Sequence, residues 1–315
     1  MGGTLAALGF LSQCGWDEDT KYAPQYRGTY LQIDSLVWWL DQEERPFLLP
    51  FRVRTICGAG RWLLALSTTG DSLYYVSAGA FFPEKSYSLP QPATALAVSL
   101  DPYRIYLLSP SSIGMGSSKQ SHLPDKVQWM WKPSPQRFQH IAVAPSFLIA
   151  AGDRHIAAFR LEDLTSLFEG EVPGPVHHLW IDYPTEAVGT WQKQDTLWTF
   201  RYRHTARYLK VDTLQPSPYK ESASSPYVRQ NFGTEYVGNL SLTQEGLLLP
   251  GSHSKVQSFA ADFMGGKGFF LRNDTIWRYH LSPISPPQFV LRQAGAQAIR
   301  AVPVYRYGST EFTMR

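Results

Sequence analysis

The 315-residue chain is 43% hydrophobic, 14% aromatic and only 17% charged, which is ample material for a buried core and unlike a disordered tail. Its 29 basic residues stand among 26 acidic ones, and the resulting net charge of +3 is too mild and too evenly mixed for a dedicated nucleic-acid domain. The 24 glycines and 23 prolines are scattered along the whole length, where they break almost every window long enough for an amphipathic helix and suit many short strands joined by turns.

The chain opens with MGGTLAALG. Thr4 to Ser12, ending at Cys14, has no basic flank and only a short apolar run, and Gln13 stands where a small residue would precede a cleaved cysteine, so the segment reads as a strand rather than a signal peptide. Ala6 occupies the position where a myristoylation motif needs Ser or Thr. Asp17, Glu18 and Asp19 read as a solvated acidic loop. Trp38 and Trp39, in DSLVWWLD, point to opposite faces of a strand, so at least one of them belongs to the core. Cys14 and Cys57 lack paired-cysteine spacing and flanking histidines, and neither a disulfide nor a zinc site is expected. No run approaches the roughly 18 apolar residues of a membrane span. A soluble intracellular protein is expected, with cytoplasm and nucleus not distinguished.

Six segments then repeat one pattern, an apolar run, a tight turn and a second apolar or aromatic run. They are Leu63–Val76, Ala95–Leu108, Phe147–Phe159, Glu186–Phe200, Leu240–Gly251 and Gly268–Leu281. The pattern is weakest between Phe200 and Leu240. The chain ends in TEFTMR, and a seventh unit follows if this last strand pairs with the first, Thr4–Leu8 antiparallel to Glu311–Met314. Dividing 315 residues among seven units leaves about 45 each, inside the range of a four-stranded propeller blade. The expectation is an all-β, single-domain, seven-bladed β-propeller over 1–315, closed by pairing of its N- and C-terminal strands. Leu161–Gly170 is the best helical candidate, as a short excursion between strands. The Gly/Ser-rich segment Gly114–Lys126 and Pro216–Pro226 read as projecting loops.

Val53 to Val76, VRTICGAGRWLLALSTTGDSLYYV, has a small-residue bend at Gly58 and Gly60, the run LLAL, a turn glycine at Gly70 and an aromatic strand. It resembles a repeat of the regulator-of-chromosome-condensation type, and residues 1–19 resemble the second half of such a repeat. The resemblance implies a seven-bladed propeller closed by terminal strand exchange. Arg61 and Trp62 stand where that family usually has a histidine, and no residue maps onto its nucleotide-exchange loops.

Chemistry is sparse. The sequence contains no GxSxG, HExxH, GxxxxGK[ST] or EF-hand pattern, and the glycine-rich Met264–Gly268 reads as a turn. His177 and His178 are adjacent and so diverge in a strand; His140, His155, His204 and His253 are dispersed. The sequons at Asn239 and Asn273 fall in or beside hairpins. No catalytic residue, cofactor or metal is expected. Two clusters are candidate partner-binding residues: Trp129 and Trp131, which suit a binding hot spot or packing between blades, and Arg201, Tyr202, Arg203 and Arg207, where arginine is interleaved with tyrosine. The expected function is a non-catalytic protein-interaction scaffold, a subunit of a larger assembly with a protein partner. The alternatives are a ligand-binding or hydrolytic propeller with a central-channel site, and a regulator of a small GTPase.

Overall fold

The computed structural model describes residues 25–59, 62–100, 103–117, 127–193, 196–211, 241–243, 246–248, 258–262, 267–280, 286–307 and 310–313. The expectations placed on Thr4–Leu8, Cys14, Asp17–Asp19, residues 118–126, Pro216–Pro226, Asn239, His253 and Met264–Gly266 lie outside these residues.

The described chain is built of strands. They are β1 (Gln25–Ile33), β2 (Leu36–Leu40), β3 (Pro46–Ala59), β4 (Trp62–Ser67), β5 (Ser72–Ser77), β6 (Lys85–Ser88), β7 (Ala95–Leu100), β8 (Tyr103–Ser109), β9 (Ser112–Ser117) and β10 (Gln128–Pro133). There follow β11 (His140–Val143), β12 (Leu148–Gly152), β13 (His155–Phe159), β14 (Ser166–Glu171), β15 (Val176–Tyr183), β16 (Glu186–Lys193), β17 (Thr196–Arg203) and β18 (Tyr208–Val211). The last are β19 (Ser241–Thr243), β20 (Gly246–Leu248), β21 (Ser258–Asp262), β22 (Lys267–Arg272), β23 (Thr275–His280), β24 (Gln288–Arg292), β25 (Ile299–Tyr307) and β26 (Thr310–Thr313).

Each set β7–β10, β11–β14, β15–β18 and β21–β24 is a four-stranded antiparallel meander, and β19 pairs with β20. A larger sheet runs β26-β25-β1-β2-β3-β4-β5-β6. It divides within β3, whose first half pairs with β2 (Leu36 opposite Arg52) and whose second half pairs with β4 (Val53 opposite Ser67). Strand β3 thus ends one unit, β26-β25-β1-β2-β3, and begins the next, β3-β4-β5-β6. The leading strands β3, β7, β11 and β15 touch in succession, β21 touches β25, and β25 touches β3. Sheets that radiate from a line of leading strands form the arrangement of a β-propeller.

All six hairpins read from the sequence are present, from Leu63 opposite Val76 to Gly268 opposite Tyr279. A further hairpin, β1–β2, turns at Asp34–Ser35, and its strand β1 pairs along its length with β25, from Gln25 opposite Arg306 to Ile33 opposite Ile299. Glu311 in β26 lies opposite Arg306. The helix anticipated over Leu161–Gly170 is instead a turn at Leu161–Asp163 followed by strand β14, because its residues complete the meander beside β13. The start of the anticipated Gly114–Lys126 loop is also corrected. Ser112–Ser117 forms β9, whose Gly114 and Gly116 leave room for tryptophans on the neighbouring strand.

The core lies between sheets, so most strands are apolar on both faces. In β4, Leu63 and Ala65 pack with Tyr30, Val37 and Val302 on one side, while Leu64 and Leu66 pack with Leu96, Val98 and Ile105 on the other. Fully burying such side chains stabilises the fold by ~2 kcal/mol each, which is why LLAL reads as an unbroken apolar run. Of the two adjacent tryptophans, Trp39 is buried against Tyr30 and Trp38 packs half-buried in the cluster around Phe269 and Ile276. Among the described residues no helix is long and apolar enough to cross a membrane.

Candidate interaction surfaces

Buried tyrosines tie neighbouring sheets to one another. The Tyr30 hydroxyl, on β1, donates to the carbonyls of Ser77 (3.0 Å) and Ala80 (2.8 Å), fixing the turn after β5. The Tyr75 and Tyr103 hydroxyls lie 3.1 Å apart between β5 and β8, and burial pushes the Tyr103 hydroxyl up to about 12. Tyr106 donates to the Leu161 carbonyl at 2.9 Å, joining β8 to the turn before β14. Part of the aromatic content is therefore committed inside.

Trp129 and Trp131, on β10, stack on each other at 6.3 Å and are half-buried. A Cβ at Gly114 would stand 2.6 Å from the Trp131 ring, and one at Gly116 would stand 2.6 Å from Trp129, so the two indoles roof the glycine strand β9. Both also pack on the cluster around Leu64 and Ile105.

The Arg201–Arg207 stretch divides by face. Tyr202 is fully buried, edge-on to Phe147 at 5.6 Å, so it belongs to the core and is corrected as a contact for a partner. Arg201 and Arg203, two residues apart on β17, both reach Glu186 on β16, with N–O distances of 2.6 and 2.7 Å. Burial opposes ionisation of Glu186, but the two guanidiniums outweigh it and hold the carboxyl below its usual range. His204 stacks on Phe147 at 4.6 Å, and Arg207 sits exposed in the following turn with φ 47°. Tyr208, beside it, is 58% exposed. His140 and His177 lie on the leading strands β11 and β15. His177 is exposed, whereas His140 is half-buried and donates from Nε2 to the Val176 carbonyl at 3.2 Å.

Among the described residues, one exposed apolar group was not singled out by sequence. Phe47 (41% exposed) on β3 meets Phe81 (39%) from the β5–β6 connection edge-to-face at 6.1 Å, with Phe82 (67%) next in the chain, while Leu48 (50%) points to the other face of β3. Tyr30 holds the root of that connection through Ala80, so the aromatic tips stand on a fixed base. The signal available in the sequence was PFLLPF and AFFP, apolar runs whose prolines prevent a central strand and so leave side chains without a second sheet to cover them.

The geometry defines a class, an all-β propeller with sheet-to-sheet cores and side chains exposed on its connections. The chain superposes on a structural-genomics protein from Lactobacillus plantarum with a TM-score of 0.59 at 9% identity, over 87% of this chain and 99% of that one. The β-propeller domain of Cps50 (Swd1) from Myceliophteria thermophila aligns with a TM-score of 0.48 at 11% identity, over 92% of this chain and 94% of that one. At these identities the likeness concerns the fold alone. No protein-family model matches the sequence, and no curated protein matches it.

Proposed function

We propose that the chain is a seven-bladed propeller, closed by the pairing of β25 with β1, that serves as a non-catalytic protein-interaction scaffold within a larger assembly. The observation that carries this reading is the exposed aromatic group Phe47, Phe81 and Phe82. Contiguous large apolar side chains at the surface cost solubility and mark contact sites, and aromatic anchors dominate binding energy at such sites. Arg203, Arg207 and Tyr208 would supply a separate polar contact surface, where guanidinium and phenol suit a partner's rim. Trp129 and Trp131 would contribute only by the edges left outside their packing on β9.

The test is affinity purification from the native source with the wild-type chain and with a Phe47→Ser/Phe82→Ser variant. Exposed substitutions of this kind change stability by only ~0.5 kcal/mol each, so both chains should melt alike. A reproducible partner retained by the wild type and lost by the variant is expected. A wild-type monomer with no reproducible partner at physiological salt would overturn the reading.

A further inference from the structure

Sheets that radiate from an axis diverge toward the rim, and between the β7–β10 and β11–β14 sheets the gap opens into a cleft of about 470 Å³. Its floor is apolar, formed by Ile113 from β9, Phe138 from the linker into β11, Phe159 from β13 and Leu164 from the turn before β14. The wall contributed by β14 carries Glu169 and Glu171, two residues apart on one face of the strand and both exposed. Neither carboxylate has a lysine or arginine partner among the described residues. Ser166 Oγ donates to Glu169 at 3.1 Å, and His155 Nδ1 lies 3.6 Å from Glu171. Of the basic side chains nearby, Arg160 lies 3.9 Å from Asp163, and Lys132 lines the facing wall of the cleft, where its charge is also felt at Asp163. Strand β14 is the last of its sheet, so its outward backbone groups are not used within that sheet.

We propose that this cleft docks an extended peptide segment of a protein partner, one that presents a large apolar side chain and a lysine or arginine on the same side, two residues apart. The apolar side chain covers the floor, the cation lies between Glu169 and Glu171, and the backbone runs along the open edge of β14. An apolar ligand alone would leave two carboxylates facing it without compensation, and an acidic segment would be repelled. This site deepens the scaffold reading and rests on it.

The probes are two pools of fluorescein-labelled hexapeptides with fixed cores, Leu-x-Arg and Leu-x-Glu, titrated by anisotropy against the wild type and a Glu169→Lys/Glu171→Lys variant. Both substituted positions are exposed, and equal melting temperatures verify the fold of the variant. The arginine pool should bind the wild type, bind at least ~10-fold more weakly to the variant, and weaken with added salt, while the glutamate pool shows the reverse preference. Equal binding of the two pools, binding unchanged in the variant, or no saturation below about 1 mM would overturn the site. A partner that co-purifies equally with the wild type and the lysine variant would overturn the cleft while sparing the scaffold. A wild type with no partner would remove the scaffold itself.

Discussion

Three hairpin turns are two residues long and use left-handed backbone at polar residues: Asp34 (φ 51°), Asp153 (φ 48°), and Asn273 and Asp274 (φ 49° and 61°). Aspartate and asparagine tolerate that region because their short side chains bond locally, and the turn geometry then matches the strand twist. Gly70 goes further. Its φ is +80°, and a Cβ there would lie 2.1 Å from the Ala93 carbonyl oxygen. Gly70→Ala should therefore destabilise the fold by roughly 2–3 kcal/mol, read as a lower urea midpoint at unchanged slope. Tyr106→Phe removes one hydroxyl and leaves the Leu161 carbonyl without that donor, a loss of about 1–2 kcal/mol in the same assay. His140 offers a pH test. Burial, with the charges of Arg300 and His177, lowers it from 6.5 to about 4 against the opposing bond to Val176. The folded chain keeps His140 neutral while the unfolded chain protonates it. Its contribution is complete above pH 6.5 and drains away as pH falls toward 4, on the order of 3 kcal/mol in all. In His140→Gln the slope of stability against pH across that window should flatten.

Linkers between elements are fastened by the turns beside them. The Asp34 carboxylate accepts from the backbone N–H groups of Gln297 (3.1 Å) and Ala298 (2.9 Å), and Asp274 accepts from Gly295 N–H at 3.0 Å, so one short linker is held at both ends. Nearby, Glu44, with a left-handed φ of 64°, is placed between Lys267 Nζ at 2.7 Å and the guanidinium of Arg278, joining the β2–β3 turn to β22 and β23. Lys267 also lies 3.8 Å above the Tyr26 ring. Since all three charges are mostly buried, Glu44→Gln should cost more than a surface pair, about 2 kcal/mol by chemical denaturation, and Asp34→Ala about 1 kcal/mol. Much of this element scale was legible beforehand. A strand buried on both faces leaves an apolar run such as LLAL or LIAA, and a two-residue turn leaves a polar or glycine mark, so six hairpins could be read. The β1–β2 hairpin was harder to see because QYRGTYLQI mixes polar and apolar residues: Gln32 is buried but satisfied, its amide N–H donating to the Arg54 carbonyl at 2.9 Å while its oxygen accepts from Ile56 N–H at 3.1 Å. Leu161–Gly170 misled for a related reason. Its spacing fits a helical face, yet the neighbouring edge of β13 offers backbone partners that no window of ten residues reveals. Reading it as a helix also hid the carboxylates of Glu169 and Glu171, which share a face only in a strand.

At the scale of the whole molecule, site residues were less legible than strands because exposure is a property of assembly. In the sequence Tyr202 reads as a contact residue and Phe82 is passed over, yet Tyr202 lies beneath Phe147 and Phe168 while Phe82 is 67% exposed, and only the packing of neighbouring sheets separates them. The scaffold reading needs a rigid body to present such side chains, and rigidity depends on the junction of β1 with β25, where segments at opposite ends of the described chain form one ladder. Val302 and Val304 on β25 are buried in the same cluster as Tyr30, so the ladder and the packing should fail together. Amide hydrogen exchange, followed peptide by peptide, tests this junction most directly. Peptides covering 25–33 and 299–307 should be protected to the same high level and lose protection in one step as denaturant rises. Rapid exchange across 299–307 while 25–33 and the β4–β5 hairpin stay protected would contradict a closed propeller.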